Sequence, residues 1–93
     1  MNPKYTIEPK DITHLEADVN YTIIYRDSGS EEQSKEIVSY TLKRFEELLS
    51  DNASFVRIHK GYIVNKAFIR EIKPLNVVLA SGIVLPLARR RKI

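Results

Sequence analysis

Apolar and polar positions alternate along most of the chain in runs too short for anything but β-strands. Ile12-Thr13-His14-Leu15-Glu16-Ala17 alternates, with Ile12 on one face and the longer polar residues partly on the other. Tyr21-Thr22-Ile23-Ile24-Tyr25 is rich in the β-branched and aromatic residues that suit a pleated surface. Asp18-Val19-Asn20 between them predicts a turn, Asp27-Ser28-Gly29-Ser30 predicts a second, and Lys35-Glu36-Ile37-Val38 returns as a strand. One segment changes period. Val38, Leu42, Phe45, Leu48 and Leu49 fall at i, i+4, i+7, i+10 and i+11, which stacks them on one helical face with Lys43, Arg44, Glu46 and Glu47 outside. Thr41 or Ser39 supplies the N-cap, and Ser50-Asp51-Asn52 ends the helix. So short a helix is marginal alone, so Leu42, Phe45 and Leu49 must dock on the sheet.

Strands resume after the helix. Phe55-Val56-Arg57-Ile58 alternates, Gly61 marks a bend, and Tyr62-Ile63-Val64-Asn65 continues. Ile69-Arg70-Glu71-Ile72-Lys73 reads as a further strand, and Pro74, which has no N–H for a ladder, must lie at a strand end or edge. Ser81-Gly82 between Asn76–Ala80 and Ile83–Leu87 predicts a tight hairpin. The strands follow one another too closely for parallel crossovers. The expected fold is therefore mainly β, of short antiparallel strands in small sheets with one or two short helices.

Ninety-three residues suffice for one domain spanning 1–93 and leave it a thin core. With no cysteine, disulfides, thiolate zinc sites and cysteine nucleophiles are excluded. No run is long and apolar enough to cross a bilayer, and the first residues lack the apolar core of a signal peptide, so a cytoplasmic location is expected. The net charge is only +3, but it is unevenly spread. Residues 1–50 hold six Lys/Arg against ten Asp/Glu, and residues 51–93 hold nine against two, four of them consecutive at Arg89, Arg90, Arg91 and Lys92. That asymmetry points to a polyanionic partner.

Catalytic chemistry finds no support. There is no phosphate-binding glycine loop and no dinucleotide fingerprint, so no cofactor is expected. The two histidines, His14 and His59, have no further donor at ligand spacing, so no metal site is expected. His14, in mid-strand, reads as a partly buried imidazole with a backbone partner. The informative stretch is Phe55-Val56-Arg57-Ile58-His59-Lys60-Gly61-Tyr62-Ile63-Val64-Asn65, where Arg57, His59, Lys60 and Asn65 sit among apolar strand residues. Strict alternation turns Phe55, Arg57 and His59 one way and Val56 and Ile58 the other, and puts Lys60-Gly61 at the bend after the strand. From there a side chain can reach a ligand from a rigid base. Composition alone leaves a solvated basic turn equally open.

This stretch resembles the central signature of the LytTR DNA-binding domain, in which Phe, Arg, His, a basic residue, Ser, an aromatic, Val and Asn follow at these spacings. Upstream, Asp11-Ile12-Thr13-His14-Leu15-Glu16-Ala17-Asp18-Val19-Asn20-Tyr21 is similar to the family's first block, and Leu85-Pro86-Leu87-Ala88-Arg89-Arg90 to its closing one. The resemblance runs from about Tyr5 to Lys92. It implies an elongated fold of small antiparallel sheets and non-enzymatic, sequence-specific binding of duplex DNA in bacterial transcriptional regulators, often joined to a receiver domain of a two-component system. Loops, rather than a recognition helix, would enter successive major grooves. Carried over by position, the DNA-binding candidates are Asn20 and Tyr21, His59 and Lys60, and Arg89 with Arg90. Gly61 and Ala88 stand where the family usually has Ser, which removes two hydroxyls able to meet phosphate. The N-terminus is short, so a reduced first strand is expected, with the input signal received alone or from a separate signalling partner. A second copy on direct repeats is a further expectation.

Physical chemistry distributes the roles. Lys60, Arg89, Arg90, Arg91 and Lys92 can neutralise phosphates, which sets affinity and register without reading sequence. Arg89 or Arg90 can fork onto guanine, Asn20 can pair with adenine, and His59 can donate to guanine or phosphate. Tyr62, Ile63 and Val64 read as core. Tyr21 and Tyr25 either stack on bases or, as strand tyrosines usually do, pack on neighbours. The alternative is a protein-interaction domain of the same fold that has lost strong DNA binding. RNA recognition is weakened by the scarcity of aromatics for stacking on single strands, and membrane binding by the lack of a basic amphipathic helix.

Overall fold

A computed structural model describes residues 9–27 and 33–93. The first eight residues, and with them most of any reduced first strand, lie outside the described residues, as does most of the expected turn at 27–30. After a 3-10 turn at Pro9–Asp11, the order is β1 (Ile12–Asp18), β2 (Tyr21–Asp27), β3 (Gln33–Val38), α1 (Leu42–Leu48), β4 (Phe55–His59) and β5 (Tyr62–Asn65). A second 3-10 turn (Lys66–Phe68) leads into β6 (Ile69–Ile72), β7 (Asn76–Leu79) and β8 (Val84–Pro86). All pairings are antiparallel, in a five-stranded sheet ordered β3-β2-β1-β5-β4 and a three-stranded sheet ordered β6-β7-β8. The shape is elongated, 43 × 29 × 24 Å.

The five-stranded sheet is the middle of three layers. On one face Ile12, Leu15, Ile24 and Ile63 pack beneath Leu42 and Phe45 of α1, joined by half-buried Ala17, Val38, Leu49 and Phe55. On the other face Ile58 and Val64, with Val56 and Tyr62, pack against Val77, Leu79 and Leu85 of the small sheet. Two cores, rather than one, hold so small a chain, each buried Ile or Leu contributing about 1.5–3 kcal/mol.

The helix has the expected face but a later start. Val38 ends β3, and Thr41 is the N-cap, its hydroxyl accepting the Arg44 N–H at 3.3 Å. Leu42 and Phe45 are buried and Leu49 is half-buried, while Leu48 is exposed. Pro74 lies between β6 and β7, off the ladder. The β7–β8 connection is longer than a two-residue turn. Leu79 N–H donates to Ile83 O at 2.8 Å around Ala80, Ser81 and Gly82, with Gly82 at φ 96 where a side chain is disfavoured.

Among the described residues three β-bulges correct the strict alternation, one of them at Arg70, where the β6–β7 register slips between Ile69 and Glu71. At Thr13 the register slips between Ile12 and His14. The extra residue puts Ile12 on the same face as Leu15 and Ala17, although odd spacing alone would separate Ile12 from both. At Ile58 the β4–β5 register slips between Arg57 and His59. Phe55 and Arg57 keep the helix-side face, but His59 is shifted out of their phase and stands opposite Tyr62. Ile58, completely buried in the second core, keeps the Val56 face that alternation gives it, and His59 is the residue the bulge moves.

Candidate functional site

The sheet topology brings the turns of the first two sequence blocks to one end of the large sheet, and the closing block reaches the side of β4 from the small sheet. β1 and β2 close there through a two-residue connection, Val19-Asn20, because Asp18 pairs with Tyr21. β4 and β5 close at the same end through Lys60-Gly61. One backbone bond ties the two turns together, Ala17 N–H to Gly61 O at 2.9 Å. A second fixes the tail: Ala88 N–H donates to Ile58 O at 2.8 Å, docking the chain before Arg89 along β4, the edge strand. Arg91 N–H then closes a turn on Ala88 O at 3.0 Å. The tail thus joins β4 two residues before the Lys60 bend, and Arg90, Arg91 and Lys92 line a cleft with Phe55, Val56, Arg57 and the end of α1.

Individual residues fall as follows. Asn20 and Lys60 are exposed at their turns, Tyr21 is about half exposed at the start of β2, and Arg89 and Arg90 are exposed on the tail. The side chains of Lys60, Arg89 and Arg90 make no ion pair among the described residues, so their charges face water. Arg91 turns toward α1, with Nη1 3.9 Å from Glu46 Oε2. His59 is half-buried, tilted against the Tyr62 ring at 5.9 Å. Its Nδ1 accepts the Gly61 N–H at 3.0 Å. That bond assigns the neutral ring's proton to Nε2, which has no protein partner among the described residues and is left as a donor.

Two motif residues prove structural. Arg57 donates from Nε to His59 O at 2.9 Å, from Nη2 to Lys60 O at 2.5 Å, and from Nη1 to Glu46 Oε1 at 2.8 Å. Its planar fork clamps the 59–60 backbone and ties the turn to the helix. Asn65 is buried, its Nδ2 donating to Ile12 O at 2.8 Å and its Oδ1 accepting Ala67 N–H at 3.0 Å, so it joins β1 to the 3-10 turn.

On the small-sheet side, Glu16 accepts the Tyr25 hydroxyl at 2.9 Å and faces that of Tyr62 at 3.5 Å. Burial first, then this carboxylate, pushes the Tyr25 phenol up to about 12 and raises Tyr62. Tyr25 also stacks on His14, with ring centroids 4.3 Å apart and planes 8° from parallel, so Tyr25 packs on its neighbours. His14 is more buried than expected, and its partner is the Thr13 hydroxyl at 2.8 Å rather than the backbone. Burial lowers its pKa to about 4, against the weaker pull of Glu16.

Alternation and charge gave no reason to single out Val19. It is 87% exposed and holds φ 55, the left-handed region. That conformation costs a β-branched residue on the order of 1–3 kcal/mol. The predicted Asp18-Val19-Asn20 turn was the available signal, since a Val at the tip of a turn serves neither turn nor core.

Among the described residues no group of three His, Asp or Glu could hold a metal, and no helix is long and apolar enough to cross a membrane.

The model of the family described as LytTr DNA-binding domain matches residues 3–92. A solved structure with a similar fold is the LytTr DNA-binding domain of a response regulator from Bacillus cereus, 26% identical, covering 88% of this chain and 74% of that one with a TM-score of 0.72. No curated protein matches the sequence.

Proposed function

The chain belongs to the LytTR family of DNA-binding domains, and from that premise we propose that it is a single, non-enzymatic, sequence-specific module of a cytoplasmic transcriptional regulator. The single observation that supports the reading is a pair of backbone bonds, Ala17–Gly61 and Ala88–Ile58, which tie the 19–20 turn to the 60–61 turn and the chain leading into Arg89 to the strand before that turn. Charge that is scattered in the sequence is local in space, where a rigid sheet presents it to a polyanion without ordering loops on contact.

In this reading Lys60, Arg89 and Arg90 meet phosphates first, with Arg91 and Lys92 following along the tail, and set the register. Asn20 and the Nε2–H of His59 have the hydrogen-bonding chemistry for base edges, Asn20 for adenine and His59 for guanine N7 or O6. Arg89 or Arg90 can fork onto guanine. Tyr21 lies beside Asn20 and flanks the same groove. Two copies on paired direct repeats, or a separate protein carrying the input signal, would couple the module to regulation.

The test is a salt titration of binding to a duplex selected from a random pool. Five neutralised phosphates give a slope of log K against log salt of about −4 to −5. A chain ending at Ala88 should bind all duplexes more weakly and show a flatter slope. No binding to mixed-sequence duplex at low salt would refute the proposal in favour of a protein-interaction domain of the same fold.

A further inference from the structure

Val19 is the residue at the candidate interface whose presence neither folding nor charge explains. It is the first residue of the β1–β2 connection, 87% exposed, and it holds the left-handed conformation at φ 55. Glycine or asparagine would adopt that conformation more readily. An isopropyl group in water contributes nothing to the core, so the local choice works against both stability and solubility. Backbone strain at an exposed apolar tip makes sense where the tip meets a ligand.

The neighbourhood identifies the ligand's chemistry. The Ala17–Gly61 bond sets Val19 beside the turn that carries Lys60, and Asn20 follows it directly. The major groove of DNA has one apolar feature, the C5-methyl of thymine, and small apolar side chains read it. We propose that Val19 is a specificity-determining residue, its isopropyl group packing on a thymine methyl in the major groove. The proposal rests on the DNA-binding reading above and deepens it: the two-residue turn would then read an apolar feature through Val19 and a hydrogen-bonding edge through Asn20.

The experiment removes the methyl from each side in turn. In a duplex selected from a random pool, each thymine is replaced singly by deoxyuridine, which lacks only that methyl, and affinities are measured for the native chain, Val19→Ala and Val19→Thr. Val19→Thr keeps the β-branch and the left-handed strain but exchanges a methyl for a hydroxyl. At one thymine the native chain should lose about fourfold in affinity, the value of one buried methyl. At that position Val19→Ala should bind the thymine and deoxyuridine duplexes equally, and Val19→Thr should show a reduced difference. All other substitutions should affect the three proteins in parallel. Thermal melts confirm that the variants fold, as expected for so exposed a side chain. Tight, salt-dependent binding with no thymine at which native and Val19→Ala differ would overturn the proposal while leaving the DNA-binding reading intact. A native chain that binds no duplex at any salt would overturn both.

Discussion

Acid should unfold this domain earlier than its carboxylates alone would require, because His14 is folded as a neutral ring. The imidazole lies 3% exposed, stacked on Tyr25 and bonded to Thr13, and burial lowers its pKa from 6.5 to about 4. Between these two values the unfolded chain binds a proton that the folded chain does not. The stabilisation is therefore complete above pH 6.5 and is lost as pH falls toward 4. At roughly 1.4 kcal/mol per pH unit across the window, about 2 kcal/mol should be lost between pH 7.5 and pH 5, and about 3 by pH 4. For a domain whose whole stability is on the order of 5–15 kcal/mol, that is a large share. Urea unfolding followed by circular dichroism at pH 7.5, 6.5, 5.5 and 5.0 measures it directly. His14→Gln, which cannot titrate, should flatten the profile over this range even though it lowers stability at pH 7.5. A native profile that is flat from 6.5 to 5.0, or a His14→Gln profile as steep as the native one, would refute the reasoning.

Asn65→Ala should cost about 2–3 kcal/mol in urea unfolding, because it removes three hydrogen bonds and leaves Pro9 O, Ile12 O and Ala67 N–H without their Asn65 partner. Under conditions where the variant remains folded, its DNA affinity should match the native chain's. Gly61→Ser should fold with stability changed by less than about 0.5 kcal/mol, since Gly61 is not at a left-handed φ and an added Cβ meets only His59 Nδ1, at 3.5 Å. A thermal melt checks this, and the restored hydroxyl should tighten binding to mixed-sequence duplex.

The antiparallel strands and the helix face were legible because each rests on local chemistry: side-chain period, β-branching and a capping threonine; the three blocks were legible only through the family resemblance. The bulges were not, because they answer to partners distant in sequence. Thr13 is displaced so that Ile12 can join Leu15 under α1, and the extra residue at Ile58 turns His59 out of phase with Arg57; neither residue announces this locally. The site followed the same division. Lys60 and the terminal arginines could be read from charge and position. Arg57 and Asn65 sit in the same signature and carry the same polarity, yet the fold turns them inward, onto carbonyls, an amide N–H and, for Arg57, a helix carboxylate. Sequence polarity does not tell a group that meets a ligand from one that shapes the loop beneath it. Val19 escaped notice for the opposite reason, since apolar residues are searched for inside.

The inward turn of Arg57 changes what the charge of the basic half means. Its guanidinium, 14% exposed, is held by two carbonyls and Glu46 and cannot swing toward a polyanion without releasing the 59–60 backbone it clamps. Formal charge therefore overstates the number of cations that can neutralise phosphates and release counterions from DNA. A cation-exchange resin and a duplex should both sense one fewer positive group than the sequence contains, and replacing Arg57 should alter how selectively the domain binds more than how strongly salt competes with it.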